Sequence, residues 1–363
     1  SSSQQQQHQQ TIPHIYTLPQ IEAAASSPEF ATKLIDAIKK GFVEYSNGKF
    51  NACPIQTMGA PPMAPFDDDD NNRNTNNSNY SAQTCVKSGY LTSSSHYVIK
   101  VASGGHPFPA NSGCMQLYSQ RTGKLETILL DEGLLTELRT AAVGAVAAQM
   151  LAPSNIESGA CRIGILGTGV QSRFQLRYLG HVMTECHRSS VMVWGRSKEN
   201  VQQFIIDMEK EGWNVQAVDD AQELLDQCDL IVTATSSRTP LLKLNTTGAS
   251  EKAFHRPLHI NAIGSDSTGK MELDPNLIAA ADLLVADSRV QTKERGEYEE
   301  ALARGLVSLD DVLELGELAN RTELHRNSNG REDGRFTIFD SSGVAVQDCV
   351  IATMVNESLL SKE

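Results

Sequence analysis

The sequence predicts an α/β protein, a Rossmann-type doubly wound parallel sheet combined with a discontinuous α+β domain. Three observations predict it. From residue 161 onward, "CRIGIL", "SVMVW", "DLIVTA", "LHINAI" and "DLLVAD" are short, continuous aliphatic runs suited to strands buried on both faces. Helical patterns such as "QSRFQLRYLGHVMTE" and "SKENVQQFIIDMEKEG" alternate with them, which is the order of a parallel sheet wound on both faces. The first run also leads directly into Gly167-Thr168-Gly169, a glycine turn that opens a helix.

The N-terminal part reads differently. "SSSQQQQHQQ" opens the chain, and "PPMAPFDDDDNNRNTNNSNYSAQ" interrupts it at 61–83. Both are polar and poor in β-branched residues, so they bury too little surface to offset their ordering entropy and are expected to be disordered. Asp67 to Asp70 read as a solvated acidic run rather than a cation site. "PEFATKLIDAIKKGFVEYSNG" carries apolar residues at helical spacing and stops at Asn-Gly. "HYVIKVAS" and "GCMQLYS" are strand-like, "SQRTGKL" is a hairpin signal, and "LLTELRTAAVGAVAAQMLAP" is an Ala-rich helix stopped by Pro153. "FTIFDSSGVAVQDCVIATMVNESLL" reads as a strand and an apolar helix returning to the first domain. The expected division is a tail at 1–10, one domain from 11–150 and 328–363, and the nucleotide domain at 151–327.

Composition excludes several functions. A net charge of −13 over 363 residues argues against nucleic acid and acidic membranes, because phosphate binding needs clustered Lys and Arg. No run has the apolar length of a membrane span. The seven cysteines are scattered without a C-x-x-C pair, which suits reduced thiols in the cytoplasm rather than a disulfide frame or a zinc site. The chain starts at Ser1, which leaves open a removed targeting segment.

At the glycine turn, Gly167 permits the tight bend, and Gly169 lets a pyrophosphate approach the helix N-terminus. Ser172 takes the third glycine position. Gly167, Thr168, Gly169, Val170 and Gln171 are the candidate cofactor contacts here. Arg196 and Ser197 follow the second strand and Thr235 follows the third. A ribose 2′-hydroxyl usually meets an acid after the second strand, whereas Arg196 suits a 2′-phosphate. NADP(H) is therefore the preferred cofactor and NAD(H) the other candidate.

A second glycine motif, Gly264 to Lys270, spells G-x-x-x-x-G-K but continues with Met271 and "ELDP". Without a Mg²⁺-holding hydroxyl or a helix opening from the loop, it is not a triphosphate site. Its position after "LHINAI" puts Asp266 at a strand end, where ligands of open α/β sheets gather. Asp266 is either a proton-transfer group whose pKa burial raises, or a turn aspartate bonded to its own backbone. The residues alone leave both readings open.

"LRTAAVGAVAAQMLAP", "IGILGTGVQS", "VMVWGRSKEN", "INAIGSDSTGKMELDP" and "FDSSGVAVQD" together resemble the ornithine cyclodeaminase/μ-crystallin family. The resemblance spans about residues 85 to 350. It implies a substrate and dimerisation domain built from both chain ends, a Rossmann domain between them, and a homodimer. It also implies hydride transfer between a nicotinamide and the α-carbon of an amino or imino acid. Asp266 falls on the family's catalytic aspartate, Arg139 on the arginine that binds the substrate carboxylate, and Lys100 on a lysine of the same pocket. Such a clamp suits a carboxylate, and Lys100 otherwise lies in an apolar strand where an unpartnered charge is costly. Where many members carry a further arginine, "CPIQT" has Gln56, so Lys87 of "CVKSGYL" becomes a candidate replacement, a solvent-facing lysine being the alternative.

The expected function is NAD(P)H-dependent reduction of a small imino acid. Deaminating cyclisation of an ornithine-like amino acid and direct amination of a keto acid are the enzymatic alternatives. A crystallin-like NADPH-binding protein without turnover is the alternative of another class.

Overall fold

The computed structural model describes residues 12–59, 81–106, 112–153, 161–183, 190–244, 254, 256–326 and 334–362. The expected tail at 1–10 lies outside them, as does the insert at 61–83 except for its last three residues. Ser81 to Gln83 belong to a strand instead, because backbone pairing with 104–106 carries the ladder into the polar sequence.

Seven strands form the first sheet: β1 (His14–Tyr16), β2 (Phe50–Ala52), β3 (Gln56–Gly59), β4 (Ser81–Leu91), β5 (His96–His106), β6 (Ser112–Ser119) and β7 (Leu125–Leu129). Their order is β1-β7-β6-β5-β4-β2, with β3 also on β4. All pairs are antiparallel except β1 with β7. The hairpin expected at "SQRTGKL" joins β6 to β7, with Gly123 at φ +69°.

The second sheet has eight strands: β8 (Arg162–Leu166), β9 (Ser190–Trp194), β10 (Asn214–Ala217), β11 (Leu230–Thr233), β12 (Leu258–Ala262), β13 (Leu283–Ala286), β14 (Val312–Glu314) and β15 (Phe336–Asp340). All pair in parallel, in the order β10-β9-β8-β11-β12-β15-β13-β14. The first five positions repeat the doubly wound order 3-2-1-4-5, and the order reverses between β8 and β11.

β15 corrects the expected boundary at 328. The strand lies inside the second sheet, between β12 and β13, rather than in the first domain. The reason is burial: all five of its residues are enclosed, so it needs a strand on each edge and helices on both faces. Only the helix that follows, Ala345–Leu360, returns to pack against β4, β5 and the helices Pro28–Ser46 and Leu134–Leu151.

The Ala-rich helix Leu134–Leu151 is buried almost all round, since it also packs on the glycine-turn helix Val170–Val182 and on β12. Small side chains permit that approach. A Cβ on Gly144 would stand 2.1 Å from Oε1 of Gln175, and the Gly144 carbonyl accepts from Asn261 Nδ2 of β12 at 3.0 Å. This helix carries Arg139 and so fixes it between the two sheets.

Candidate active site

The glycine turn has the form its sequence requires. Gly167 sits at φ +114°, and a Cβ there would meet the Ala234 carbonyl at 2.6 Å, so only glycine fits. At Gly169 a Cβ would meet nothing within 4 Å, which leaves an open cradle beside the helix Val170–Val182. No side chain caps that helix, so its first N–H groups remain available to an anion. Arg173 braces the turn by donating to the Thr168 carbonyl at 2.6 Å and the Gly169 carbonyl at 3.2 Å. Ser172 is fully buried, as helix–sheet packing requires of the third position.

The other cofactor candidates line the same edge. Thr235 follows β11 and packs with its methyl 3.1 Å from a Cβ built on Gly167. Ser197 caps the helix Lys198–Lys210 by accepting from Asn200 N at 3.2 Å, and Arg196 is exposed at the end of β9. Val170 is exposed at the open end of its helix. Gln171 turns towards the first sheet's side, donating from Nε2 to Glu137 Oε2 at 2.5 Å. An open anion cradle at a switch point thus fits a dinucleotide, and Arg196 lies at the end of the neighbouring strand β9.

The three cations lie together. Lys87 and Lys100 are direct partners across β4 and β5, so they share a sheet face, and Arg139 reaches the same place from its helix. They are 8%, 4% and 5% exposed, which excludes the surface readings of Lys87 and Arg139. Asp348 of the last helix bridges two of them, its Oδ1 lying 2.9 Å from Lys100 Nζ and 3.1 Å from Arg139 Nε. Arg139 also donates to Gln347 Oε1. Lys87 donates to the Gly343 carbonyl at 2.7 Å. Gly343 stands at φ +83°, and a Cβ there would lie 3.2 Å from Arg139 and 3.3 Å from Lys87 Nζ, in the space the cations face.

Burial, together with the neighbouring charges of Lys100, Arg139 and Arg295, pulls the Lys87 ammonium down to about 7. Asp348 shows the reverse: despite burial, the three cations hold its carboxyl below its ordinary value. Gln56 stands apart. It pairs with Val86, so it lies on the opposite sheet face from Lys87 and is exposed.

Asp266 follows β12 and is not bonded to its own backbone through its side chain. Its Oδ1 accepts from Lys270 Nζ at 2.6 Å, while 59% of its side-chain surface stays accessible. The sequence leads one to expect a raised pKa. The direction is the opposite: burial, the largest single effect, raises it, but Lys270, Lys87 and Arg295 together outweigh burial. Glu137 differs: burial, and then the charge of Asp266, raise it against Gln171 and Arg139. Lys270 also closes the question of the second glycine motif, since its ammonium is spent on Asp266 and no helix opens there.

Sequence reasoning missed the residues that hold this arrangement. Asp348 and Gln347 carry a signal, being polar in the otherwise apolar first half of the helix Ala345–Leu360. Glu272 ties two strand ends, accepting from Thr235 N at 2.6 Å and Gly264 N at 3.0 Å. Asp287 secures the 341–343 loop, accepting from Ser342 Oγ at 2.8 Å and Gly343 N at 2.7 Å. Among the described residues no cluster of potential metal ligands occurs, and no helix is long and apolar enough to cross a membrane.

Fold and site together define a dinucleotide-binding α/β protein with a cationic pocket at its strand ends. The chain belongs to the ornithine cyclodeaminase/mu-crystallin family, whose model matches residues 20–363. An uncharacterized cyclodeaminase of Sinorhizobium fredii is 34% identical over 276 residues, covering 74% of this chain and 78% of that one. The iminosuccinate reductase of Paracoccus denitrificans, solved with NAD+, is similar in structure with a TM-score of 0.75 and 28% identity, over 96% of this chain and 97% of that one. An archaeal alanine dehydrogenase dimer with bound NAD has a TM-score of 0.76 and 27% identity, with 96% and 97% covered.

Proposed function

We propose that this enzyme is an NAD(P)H-dependent oxidoreductase of the C–N bond of a small imino or amino acid, and that it prefers NADPH. The observation that carries the reading is the pairing of a buried three-cation pocket with an anionic aspartate at neighbouring strand ends. Arg139, Lys100 and Lys87 offer a carboxylate both bidentate and point-charge partners. Asp266, kept ionised, faces the nitrogen and holds its proton, which favours the electrophilic iminium form. Holding both ends of the α-imino acid fixes its α-carbon relative to the cofactor edge. When bound, the nicotinamide supplies or takes up the hydride. Gly167, Thr168, Gly169, Val170 and Gln171 would hold the pyrophosphate, Thr235 would flank the nicotinamide side, and Arg196 with Ser197 would receive the 2′-phosphate. A homodimer belongs to this reading, since a related alanine dehydrogenase is a dimer.

A second reading has one observation in its favour. Glu137 places another carboxyl within electrostatic reach of Asp266, where a distal ammonium of a diamino acid would be welcome. That suits deaminating cyclisation. The test is a steady-state assay with cyclic and acyclic imino carboxylates, following nicotinamide absorbance with NADPH and NADH. Oxidation of NADPH supports the reductase. Ammonia release from ornithine with catalytic NAD+, and no net oxidation with any imine, replaces it with the cyclodeaminase.

A further inference from the structure

The loop after β12 closes on itself around one lysine. Ser265 Oγ donates to the Lys270 carbonyl at 2.8 Å, Lys270 N donates to the Ser267 carbonyl at 3.1 Å, and Gly269 turns at φ +78°. Both ends are anchored. Gly264 N donates to buried Glu272, and Met271 N donates to the Ser237 carbonyl at 3.0 Å. The outer side is tied to the helix Arg289–Arg295, where Arg295 Nε donates to the Asp266 carbonyl at 3.0 Å and Thr268 Oγ1 donates to the Glu294 carbonyl at 3.2 Å. A loop held at so many points has little freedom in where it delivers the Lys270 ammonium.

That ammonium is 2.6 Å from Asp266 Oδ1, and the lysine side chain is only 23% exposed. An ion pair with one partner largely in solvent adds little to stability. Stability therefore does not account for a lysine so firmly placed. Orientation does. Asp266 Oδ2 accepts no hydrogen bond from the described residues, and more than half of the side-chain surface is accessible.

We infer that Lys270 is a positioning residue of the active site: it takes Oδ1 of Asp266, fixes the carboxylate plane, and leaves Oδ2 as the oxygen presented to the substrate nitrogen. The inference rests on the imino-acid reading of the site. Four charged groups on four elements face Asp266: Lys270 from its own loop, Arg295 from the helix Arg289–Arg295, Lys87 from β4, and Glu137 from the helix Leu134–Leu151. Of these, Lys270 is the one in side-chain contact. It also keeps the carboxylate in the anionic form that an iminium needs.

The experiment compares Lys270→Met and Lys270→Arg with the wild type in two ways. One is the titration of the Asp266 carboxyl by ¹³C NMR, assigned with Asp266→Asn; the other is kcat and KM for an imino acid across pH. In Lys270→Met the carboxyl should titrate at higher pH. The loss in kcat should be about tenfold greater at pH 5 than at pH 8, with KM for the cofactor unchanged. Lys270→Arg should restore both readouts in large part, whereas a merely structural role would move Tm and neither of them. An unmoved Asp266 titration in Lys270→Met overturns the inference and leaves imine reduction standing. Wild-type protein inert towards every imino acid overturns the reductase reading itself, and the role of Lys270 with it.

Discussion

Lys87 and Lys100 are direct partners across β4 and β5, and both ammonium groups are buried on the same face of the sheet. Like charges placed directly opposite destabilise a sheet, and burial adds to the cost. Among the described residues the carboxylate in direct contact with the pair is Asp348, which touches Lys100, while Lys87 donates to a neutral carbonyl. A protein that keeps such a pair is stabilised by removing one member, and loses what that member binds.

Lys87→Met should therefore raise stability while weakening the substrate. In the folded state the lysine titrates near 7, below its ordinary 10.5, so in that window the unfolded chain binds the extra proton. Its destabilisation is fully present below pH 7 and fades as pH rises towards 10.5. The variant should gain about 1–3 kcal/mol at pH 7, after allowing for the lost bond to Gly343, and progressively less at pH 9. Urea denaturation at both values measures this. The KM for a carboxylated substrate should rise about tenfold or more, with cofactor affinity unchanged.

Asp348→Asn should act in the opposite sense. The carboxylate is depressed by the cations around it, so its stabilisation is present above its unfolded pKa and is lost as pH falls through the lower folded value. Neutralising it strands Lys100 and Arg139 in a nearly sealed pocket, a loss of about 3–5 kcal/mol. Denaturant midpoints at pH 7 would show it. A loss below 1 kcal/mol would mean that the cations find another partner.

How much of this was legible beforehand depends on how local each cause is. The glycine turn was readable because backbone sterics at Gly167 and the open cradle at Gly169 are dictated by neighbouring residues. The central parallel strands β8, β9, β11, β12 and β13 were readable for the same reason, each being a short aliphatic run, whereas the edge strands β10 and β14 are only partly buried and gave no such run. The place of β15 was not, since "FTIF" says only that the strand is buried and not between which neighbours. Arg139 looks like one polar residue on an Ala-rich helix until three packing partners bury it. The depressed pKa of Asp266 depends on Lys87 and Arg295, remote in sequence, as well as on Lys270 four residues on. Pattern reading finds the carboxylate but not its neighbours.

The two turn glycines separate folding from binding. Gly167→Ala forces a Cβ towards the Ala234 carbonyl at a positive φ, so it should cost about 1–3 kcal/mol and lower Tm. Gly169→Ala meets open space at an ordinary backbone angle and should fold normally. Its methyl enters the cradle that a pyrophosphate needs, so the Kd for NADPH should rise about tenfold or more. Calorimetry on both variants checks the contrast; unchanged affinity in Gly169→Ala would remove the phosphate site from this turn.

Asp340 predicts a pH dependence of stability. Burial first, and then the charge of Asp287, push its carboxyl up to about 8. Between its unfolded value near 3.8 and about 8, the folded state holds a proton that the unfolded state releases, so this group's contribution falls as pH rises through that range. Asp340→Asn cannot ionise. The Tm of the variant should decline less than that of the wild type between pH 6 and pH 9, by differential scanning fluorimetry. Parallel declines would assign the loss to other groups.

The proposed preference for NADPH turns on Arg196. It is exposed at the end of β9, with Lys198 two residues on and Ser197 capping the next helix, while Glu199 points from that helix's first turn. Nothing in this arrangement offers a carboxylate to the ribose 2′-hydroxyl at the position where β9 ends, whereas a guanidinium there suits a 2′-phosphate in a bidentate contact. Arg196→Asp replaces attraction by repulsion for NADPH and supplies an acceptor for NADH. The ratio of kcat/KM for NADPH over NADH should fall by about a hundredfold, most of it through KM, since the hydride-transferring end of the cofactor is untouched. The solved relatives carrying NAD+ or NAD make the wild-type ratio the informative baseline. If wild type already favours NADH and the variant does not move the ratio, Arg196 is a solvated residue and the phosphate preference is withdrawn.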